Sequence, residues 1–467
     1  MPSPIPKPPG VFLLGNVKDV NAANPWNSFN KLAAKYRPIC KVTILGVDIV
    51  LITGAALLEE ICDETRFQKC VAGPIIEIRE AVHSSLFTAK INEKEMSQWG
   101  VAHRIMAPLL TPGAVDQVFA DMREVSTDLI KKWTAGPRQR VSVTNDLDRL
   151  NHAANMLCFF DQRLHCLEGP EPSLIKAMEN ATTEAVRRAS RLKLVNWLFY
   201  QRKFNAYNNT LRKYSASCVE YRRAHPSAKK DMLYALMEGK DPETGEGLND
   251  EQIVDEIINV FIGSATAPNL VAFGLYYLMK NPHVIKRARE EIDAVVGGPG
   301  AKIEHEHLSR LPYCLAIAQE TMRLAAPAPG FNREAIQDQD GPVLLAGGEY
   351  EVPRKQALIA VLYGVNRDPA VFEDPDAFKP ERMMGEAYEK LPSAVKKGFG
   401  NGKRVCIGKK YAWEWSYFTL VSILKDVEFE LADKNYVTDG AGNNYNGAFT
   451  VKPLDFFAIT GPRPRAG

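Results

Sequence analysis

A glycine-rich loop with a single cysteine, followed directly by a helix-forming run, constrains this chain more than any other feature. The loop reads FGNGKRVCIG over residues 399–408, and the run KKYAWEWSYFTLVSIL follows over residues 409–424. Glycine lets a backbone turn tightly and approach a flat ligand closely, because it has no side chain. The sequence therefore predicts a backbone cradle that presents the sulfur of Cys406 at the start of a helix.

The residue types around Cys406 suit a thiolate that binds haem iron. A thiolate is stabilised by backbone N–H groups and by the positive end of a following helix. Gly402 and Gly408 supply the backbone freedom. Phe399 is expected to pack beside the sulfur and tune it, and Arg404 to donate to a haem propionate. A lone cysteine is more often inert core, and we expect that of the others among the 8 cysteines: Cys40, Cys62, Cys70, Cys158, Cys166, Cys218 and Cys314.

The loop resembles the haem-binding signature of the cytochrome P-450 superfamily, F-x-x-G-x-R-x-C-x-G. Around it the chain is most similar to the haem domain of self-sufficient fatty-acid hydroxylases, which are fused to a diflavin reductase. The matching segments extend nearly from end to end: residues 62–67, 85–88, 239–245, 280–283 and 378–382. The resemblance implies the cytochrome P-450 fold, mainly α with small β-sheets, and haem b (iron protoporphyrin IX) bound through Cys406.

The chain shows no internal boundary. Its 467 residues would suggest about three domains by length, but no Gly/Ser-rich or Pro-rich linker and no internal repeat interrupts them. We predict one haem-thiolate domain over residues 1–467, either free-standing or the haem domain of a longer reductase fusion. The resemblance implies a diflavin NADPH reductase as partner, fused or separate, which would carry the FAD and FMN.

Composition and charge exclude several classes of protein. With 45% hydrophobic and 24% charged residues the chain is ordinary globular material, and a net charge of +2 predicts no nucleic-acid partner. The N-terminus has five prolines in its first nine residues and no apolar run of the roughly 18 needed to cross a bilayer. We therefore expect no transmembrane anchor. Cysteines without paired spacing suit a reducing compartment, so a soluble cytoplasmic protein is predicted.

A long apolar stretch over residues 249–280 predicts the helix that faces the haem. Asn249 or Asp250 can cap its start, and the dipeptide Asn-Pro at residues 281–282 can end it. In the resembled superfamily the centre of this helix carries Gly, a variable residue, an acid and then Thr. The run here is GSATAPN over residues 263–269. Ala265 therefore replaces the acid, while Thr266 keeps the alcohol.

That replacement bears on proton delivery, because reduction of dioxygen consumes protons that must reach a buried site through polar groups and ordered water. Thr266 can bond dioxygen or water, and Ser264 or Asn269 can act in place of the acid. Pro268 lacks the N–H that would bond the Ser264 carbonyl, which predicts a kink and a carbonyl free to hold a water. Ile262 is expected to narrow the space above the iron. Drift in a distorted helix explains the same residues equally well.

Residues 38–53 carry β-branched side chains on either side of Gly46, which predicts a hairpin in a small N-terminal sheet. In the resembled hydroxylases an Arg and a Tyr on this hairpin hold the substrate carboxylate at the pocket mouth. The matching positions are Val47 and Leu51, neither of which can bind an anion. A free fatty acid is therefore not the expected substrate. Aliphatic residues also suit strands in general, so the alternative that both are strand filler stays open.

Two segments near the hairpin supply further candidates for the cofactor site and the pocket. Phe87, in the loop SSLFT at residues 84–88, is expected as a pocket wall, although an ordinary core position would suit it too. Trp99 and His103 are four residues apart on one helical face, where both ring N–H groups can point at one propionate.

Three charged residues match the superfamily's structural lock. Glu320 and Arg323 form an E-x-x-R pair on one helical face, and Arg382 follows in FKPER. The resemblance implies that they hold the cysteine loop in place and have no catalytic role.

Two more segments are expected to shape the substrate pocket. From the stretch PAPGFN at residues 327–332, Ala328 and Phe331 would line the pocket and Asn332 would orient the substrate. The resemblance also implies a mobile lid at about residues 170–230, whose aromatic residues would shape the entrance: Trp197, Phe199, Tyr200 and Phe204.

We predict a haem-thiolate monooxygenase that oxidises a hydrophobic small molecule, of the kind made in specialised metabolism, with dioxygen and NADPH-derived electrons. The thiolate is expected to favour O–O cleavage by donating electron density. A second hypothesis, motivated by Ala265, is a redox-neutral or peroxide-using haem-thiolate enzyme: an isomerase, a dehydratase or a peroxygenase. A third is a haem protein that senses or stores a ligand without turnover, against which Thr266 and the predicted pocket argue.

Overall fold

The structure, a computed structural model, describes residues 2–337, 340–440 and 442–464. Helices dominate these residues, and their bounds are α1 Pro25–Lys35, α2 Ala55–Ile61, α3 Pro74–Val82, α4 Glu93–Met106, α5 Pro112–Gln117, α6 Phe119–Trp133, α7 Val143–Phe160, α8 Ser173–Ala189, α9 Lys193–Val195, α10 Gln201–Ala224, α11 Met232–Glu238, α12 Asp250–Ser264, α13 Ala267–Lys280, α14 Pro282–Val295, α15 His305–Leu308, α16 Pro312–Leu324, α17 Leu362–Val365, α18 Gly385–Glu389 and α19 Lys409–Asp426. The helix predicted after the cysteine loop is thus present as α19.

The strands are short, and their bounds are β1 Ile39–Ile44, β2 Val47–Ile52, β3 Phe67–Lys69, β4 Gln139–Ser142, β5 Gly330–Ala335, β6 Val343–Leu345, β7 Tyr350–Val352, β8 Leu358–Val361, β9 Val427–Leu431, β10 Tyr445–Gly447, β11 Val451–Pro453 and β12 Phe457–Pro462. The largest sheet has the order β1-β2-β8-β5-β3, and only its β2–β8 pair is parallel. A second sheet has the order β4-β12-β9, and β10–β11 and β6–β7 form separate pairs. The fold is therefore mainly α with small β-sheets, as predicted.

The predicted hairpin is the β1–β2 pair, in which Ile39 lies opposite Ile52. Its turn consists of Leu45 and Gly46, both with positive φ, at 48° and 82°. Positive φ at both central residues is the geometry of the tight hairpin turn that matches strand twist. The hairpin is confirmed, and its turn faces the mouth of the cavity described below.

The centre of the helical part is the pair α12 and α13. Asn249 caps α12: its side chain accepts from the Gln252 N–H at 3.0 Å, and its own N–H donates to the Gln252 side chain at 2.9 Å. This reciprocal pair satisfies two backbone donors at the helix start. Residues 250–280 are long and apolar enough to cross a membrane, but 67% of their apolar 18-residue stretch is buried inside the protein. There α13 packs on α7, α16 and α19. The apolar side chains of residues 250–280 therefore belong to the protein core.

The predicted helix is interrupted at its centre. Ala265 and Thr266 form a turn between α12 and α13, and Pro268 is the second residue of α13. The Ser264 carbonyl, which has no N–H partner at residue 268, accepts from the side chain of Asn151 at 3.2 Å. The break therefore lies before the proline, and the freed carbonyl has a side-chain donor where we expected a water.

A buried ion network connects α16 to the segment that precedes the cysteine loop. Arg323 and Glu320 are fully buried and joined at 2.7 Å, and Arg382 Nε lies 3.3 Å from the same carboxylate. Arg323 also donates to the carbonyls of Asn366 and Pro375, at 2.8 and 2.6 Å. The structure thus brings the three predicted residues together, and they fix the backbone of this segment against α16.

Candidate active site

A cavity of about 860 Å³ lies between the cysteine loop, the α12–α13 junction, α4 and the largest sheet. Its size is within the range of small-molecule and cofactor sites. Cys406 contributes to its lining from the loop, and Gly263 and Thr266 contribute from the junction. Most of the other lining groups are apolar, and some of them come from β2, β5 and β8 and from the loop around Phe87.

The cysteine loop is held by its own backbone and by the segment after α2. The Cys406 N–H donates to the Phe399 carbonyl at 2.9 Å, and the Val405 N–H donates to the Gly402 carbonyl at 2.9 Å. Gly402 has a φ of +61°, and a Cβ there would lie 2.0 Å from the carboxyl group of Glu64. That carboxylate accepts the N–H of residue 403 at 2.9 Å. Glycine is favoured at residue 402 because φ is positive there, and a side chain would also push the Glu64 carboxylate away from this anchor.

Cys406 is the one cysteine of the described residues whose side chain is open, and it opens to the cavity, whereas the other seven are buried. Burial raises the pKa of the Cys406 thiol, while the backbone N–H of Gly408 and the charge of Lys409 lower it. The first turn of α19 begins at Lys409, so its N–H groups lie close to the sulfur. A thiolate here is stabilised by the helix start and needs a cationic partner such as iron to offset its burial.

Aromatic rings pack at the cysteine loop. The Phe399 ring meets Trp413 edge to face, with centroids 6.2 Å apart, and the Lys409 ammonium lies 6.0 Å from the Phe399 centroid. Gly408 leaves open space beside the sulfur, because a Cβ there would lie 4.0 Å from Sγ. At Gly408 the loop therefore leaves the surface beside the Cys406 sulfur free of side chains, and the flanking rings make its surroundings apolar. Such a surface suits a flat macrocycle.

Side chains with N–H donors share another wall of the cavity. Arg404 donates to the Leu86 carbonyl at 3.0 Å, and its guanidinium lies 5.0 Å from the centroid of Trp99, which stacks on His103 at 4.6 Å. Burial lowers the pKa of Arg404 to about 10, and burial together with nearby arginines lowers the pKa of His103. In the described part of the chain neither the Trp99 nor the His103 side chain has a hydrogen-bond partner. These donors are available to an anionic group in the cavity.

Lys69, at the end of β3, lies on the same wall and was not predicted from the sequence. Its ammonium donates to the Phe87 carbonyl and lies 4.8 Å from the Phe87 ring centroid. Burial and the charge of Arg404 hold the pKa of Lys69 well below its usual range. Two buried cations that repel each other favour a bound anion. A lysine on a three-residue strand matches no motif that would predict a site residue. Lys69 reaches this wall because β3 pairs with β5, which sets Lys69 opposite Arg333.

The side chains of the α12–α13 junction have different surroundings. Thr266 lines the main cavity and donates from Oγ1 to the Gly263 carbonyl at 3.1 Å. Ser264 also reaches the cavity, but its hydroxyl donates to the Phe261 carbonyl at 3.0 Å and accepts from Asn155 at 2.8 Å. Ala265 does not line this cavity; it lines a smaller one on the far side of the junction.

Most of the predicted pocket residues lie on the cavity wall. Ile262, Ala328, Phe331 and Asn332 all line it, and the Asn332 side chain makes no hydrogen bond to the described residues. Phe87 lines it as well, and its ring meets that of Phe449 edge to face at 6.2 Å. Phe449 was not predicted, because it follows β10 in a segment without a motif.

The mouth of the cavity differs from the prediction at one residue. Val47, which is 64% exposed, lines the cavity together with Ile49. Leu51 does not line the cavity. It is fully buried in a core that includes residues of α1, among them Phe29, and of β1 and β8. Strand alternation puts residues 47, 49 and 51 on one face, but α1 covers the far end of that face. Leu51 is therefore a core residue and not a pocket residue.

The lid aromatics also differ from the prediction. Trp197 and Phe199 point outward, at 66% and 69% exposed, and Phe204 is buried in the core. Tyr200 stacks against the guanidinium of Arg191 at 3.9 Å. The lid instead lines the cavity with smaller or flexible side chains: Val186, Ala189, Ser190, Arg191 and Leu192.

The residues around the cavity fit a haem. They offer one accessible sulfur at a helix start, a glycine surface beside it, and a donor-rich wall suited to carboxylates. A sequence model of the family named cytochrome P-450 matches residues 5–456. The chain belongs to the cytochrome P-450 family. Membership identifies haem as the cofactor.

Similar proteins agree with this assignment. The chain is 34% identical over 98% of its length to a bifunctional cytochrome P-450/NADPH–P-450 reductase of Aspergillus oryzae, covering 41% of that protein. It is 33% identical over 97% of its length to a self-sufficient cytochrome P-450 monooxygenase of Oidiodendron maius, covering 42%. The chain thus spans about two fifths of the length of these relatives.

The fold has a close counterpart among solved structures. A crystal structure of a cytochrome P-450 matches with a TM-score of 0.88 at 25% identity, covering 99% of each chain. The predicted cytochrome P-450 fold is therefore confirmed.

Proposed function

We propose that this chain is one haem-thiolate domain that oxidises a neutral hydrophobic molecule with dioxygen, using NADPH-derived electrons from a diflavin reductase that carries FAD and FMN. The observation that carries the proposal is the accessible sulfur of Cys406 in a cavity whose wall also holds Thr266. The names of similar proteins, a bifunctional P-450/NADPH–P-450 reductase and a self-sufficient P-450 monooxygenase, support the electron source.

The chain's own residues would hold the haem from two sides. Cys406 would bind the iron as thiolate, and Arg404, Trp99, His103 and Lys69 would donate to the propionates. When bound, haem supplies the binding and reductive activation of dioxygen. Each propionate would relieve the repulsion between the buried cations and satisfy the free ring N–H groups. The same contacts would order the wall beside Phe87.

The lining of the mouth supports a substrate without a carboxylate. Val47 and Ile49 are apolar. The cations near them are already paired: Lys41 contacts Asp48 at 3.2 Å, and Arg191 contacts Glu184 at 2.6 Å. An anionic substrate would have to displace these carboxylates or remain unpaired in an apolar wall, which is costly. Asn332 supplies a donor and an acceptor for a single polar group of a neutral molecule.

The two other hypotheses are less well supported. The motive for a redox-neutral or peroxide-using enzyme is Ala265, yet the residue faces a separate polar cavity, so the position does not show that proton delivery is lost. A ligand sensor has no counterpart among the relatives described above, whose names give a monooxygenase and a reductase fusion.

The proposal is tested with the haem-loaded protein, NADPH and a diflavin reductase. Candidate substrates are first selected by the shift of the haem absorption band on binding, using a long-chain fatty acid and its methyl ester as a matched pair. We expect the ester to bind more tightly and to yield product that depends on both NADPH and dioxygen. Product formed without electrons or dioxygen would contradict the proposal, and tighter binding of the free acid would contradict the substrate class.

A further inference from the structure

A second cavity, of about 70 Å³, lies behind the α12–α13 junction. It is bounded by α7, α8, the junction and the β10–β11 region. Six residues line both this cavity and the main one, so the two spaces are adjacent: Asn151, Ile262, Ser264, Ala448, Phe449 and Thr450. We refer to it below as the rear cavity.

The inner wall of the rear cavity carries three buried amides. Asn151 donates to the Ser264 carbonyl at 3.2 Å, Asn155 to the Ser264 hydroxyl at 2.8 Å, and Asn269 to the Ala265 carbonyl at 3.1 Å. All three residues are at least nine-tenths buried, and the Oδ1 atom of each has no partner among the described residues. Unpaired buried acceptors are costly and are normally satisfied by water. The volume of the cavity holds several waters.

The outer wall of the rear cavity carries the charged groups. Lys452 Nζ lies 3.0 Å from Glu179 Oε1 and 3.7 Å from Asp148 Oδ2. The Asp148 side chain is only 18% exposed, whereas Glu179 is 45% exposed and reaches solvent. Burial raises the pKa of Asp148 to about 6, Lys452 lowers it, and Glu179 and Glu171 raise it. Asp148 can therefore both hold and release a proton near neutral pH.

The remaining titratable group on the cavity wall is not suited to proton transfer. The His152 ring bonds the Tyr214 hydroxyl at 2.9 Å, and burial lowers the pKa of His152 to about 4. The described lining residues of the main cavity also offer no carboxylate suited to proton transfer. The one carboxylate among its described lining residues is Asp48, which is bonded to Lys41 and Thr43 at the mouth.

We propose that the rear cavity is a water-filled proton path, in which Asp148 passes protons along water held by Asn151, Asn155 and Asn269 to the junction at Ser264 and Thr266. The proposal rests on the proposed function, since reduction of dioxygen at the haem consumes the protons. In each step the Asp148 carboxylic acid releases a proton to the water chain and becomes carboxylate. It then takes up a proton from solvent at the Glu179–Lys452 end. Ala265, the position without an acid, faces this path.

The first experiment measures coupling in the haem-loaded enzyme with reductase, NADPH and a bound substrate. We expect Asp148→Asn to lower product per NADPH about tenfold, to raise hydrogen peroxide release and to increase the solvent isotope effect. The control is Glu168→Gln, which changes an exposed carboxylate in a residue whose backbone carbonyl accepts from Arg149, the neighbour of Asp148. It should behave as wild type. Unchanged coupling and isotope effect in Asp148→Asn would overturn the path.

The second experiment separates proton delivery from a general structural effect. Ala265→Glu places a carboxylate at the wall of the rear cavity, closer to the junction than Asp148 in the proposed path. Combined with Asp148→Asn it should restore most of the coupling, whereas a merely structural defect at Asp148 would persist. Failure of this rescue in a variant that keeps its haem spectrum would count against the path.

The third readout does not depend on turnover. A crystal structure of the haem-loaded protein should show waters bonded to the Oδ1 atoms of Asn151, Asn155 and Asn269. Buried Glu256 also contributes an infrared carbonyl band of a protonated carboxylic acid, and this band should remain up to about pH 8. The component of that band that titrates near pH 6 in the wild type should be absent in Asp148→Asn. A dry rear cavity would overturn the path even if the enzyme is active. An ordered water chain in an enzyme that turns over without dioxygen would instead overturn the proposed function.

Discussion

At the scale of single residues, the contrast among the cysteines shows how position determines chemistry. Burial raises the pKa of Cys40 and of Cys70 to about 12, and neither thiol reaches the cavity. Such thiols stay protonated and inert. Burial also raises the pKa of Cys406. Among the cysteines of the described residues, however, Cys406 alone has the Gly408 N–H, the start of α19 and an open cavity beside it.

A single residue, Val47, is also expected to determine whether the mouth of the cavity binds a carboxylate. Val47→Arg should add a cation beside the apolar mouth and tighten binding of a long-chain fatty acid by up to about fivefold, because an ion pair at an exposed site is worth at most about 1 kcal/mol. Binding of the methyl ester should change little. The absorption shift of the haem on titration measures both.

The matched control for this prediction is Val437→Arg, a change at a valine that is 40% exposed and does not line the cavity. It should leave both affinities unchanged. Equal tightening of acid and ester by Val47→Arg would mean that charge is not what the mouth lacks.

A buried acid on α12 makes stability depend on pH. Glu256 accepts from the Leu86 N–H at 3.0 Å and from Asn259 at 3.1 Å. Burial raises the pKa of Glu256 from 4.5 to about 8, with a smaller contribution from Asp255. The native state therefore holds a proton that the unfolded state releases, and this contribution is complete below about pH 4.5 and lost as the pH rises to 8.

Glu256→Gln removes this titration. Relative to wild type, the free energy of unfolding of the variant should rise by up to about 1.4 kcal/mol per pH unit across that window. Urea unfolding at several pH values measures it, with the exposed Glu246→Gln as control. A constant difference between variant and wild type would show that Glu256 does not titrate there.

At the scale of elements, the interruption between α12 and α13 decides how Pro268 is tolerated. A proline inside a helix costs about 3 kcal/mol, but in the first turn its missing N–H is not needed. Pro268 is the second residue of α13, and Asn151 satisfies the Ser264 carbonyl. The proline therefore accompanies the break and is not strained by it.

Pro268→Ala should accordingly change the free energy of unfolding by less than about 1 kcal/mol. Ala272→Pro, in the interior of the same helix, should cost about 3 kcal/mol or more. Urea unfolding of the two haem-loaded variants compares them directly. A gain of about 3 kcal/mol in Pro268→Ala would mean that the proline itself forces the break.

Elements with a local signal were predictable from the sequence. The β1–β2 hairpin followed from alternation around Gly46, the start of α12 from Asn249, and α19 from the apolar run after the cysteine loop. Alternation alone could not show that α1 covers Leu51, since that depends on which helix packs on which end of a strand.

The parts of the site that the sequence did not predict depend on packing between distant segments. Lys69 reaches the donor wall only through the pairing of β3 with β5, and Phe449 faces Phe87 from the far end of the chain. The rear cavity combines Asp148 on α7 with Lys452 on β11. None of these residues belongs to a motif, so only the assembled fold brings them together.

At the scale of the whole molecule, one buried carboxylate connects α16 with the segment before the cysteine loop. Glu320 is fully buried and accepts from Arg323 and from the N–H of residue 379. Glu320→Gln leaves the charges of Arg323 and Arg382 without a counterion. It should lower the free energy of unfolding by about 3–5 kcal/mol and reduce the haem content of the purified protein.

The control for that prediction is Glu386→Gln, whose carboxylate pairs with Lys390 on the surface, with both side chains more than 70% exposed. It should cost less than about 1 kcal/mol. A comparably small effect of Glu320→Gln would mean that the buried network does not hold the loop.

The proposed bond between the Cys406 sulfur and haem iron can be tested by the carbon monoxide spectrum of the reduced protein. A thiolate-bound haem gives a strongly red-shifted Soret band. We expect this band in the wild type and in Cys166→Ser, a buried cysteine away from the cavity, and its loss in Cys406→Ser. Absence of the band in the wild type, or its persistence in Cys406→Ser, would contradict the account.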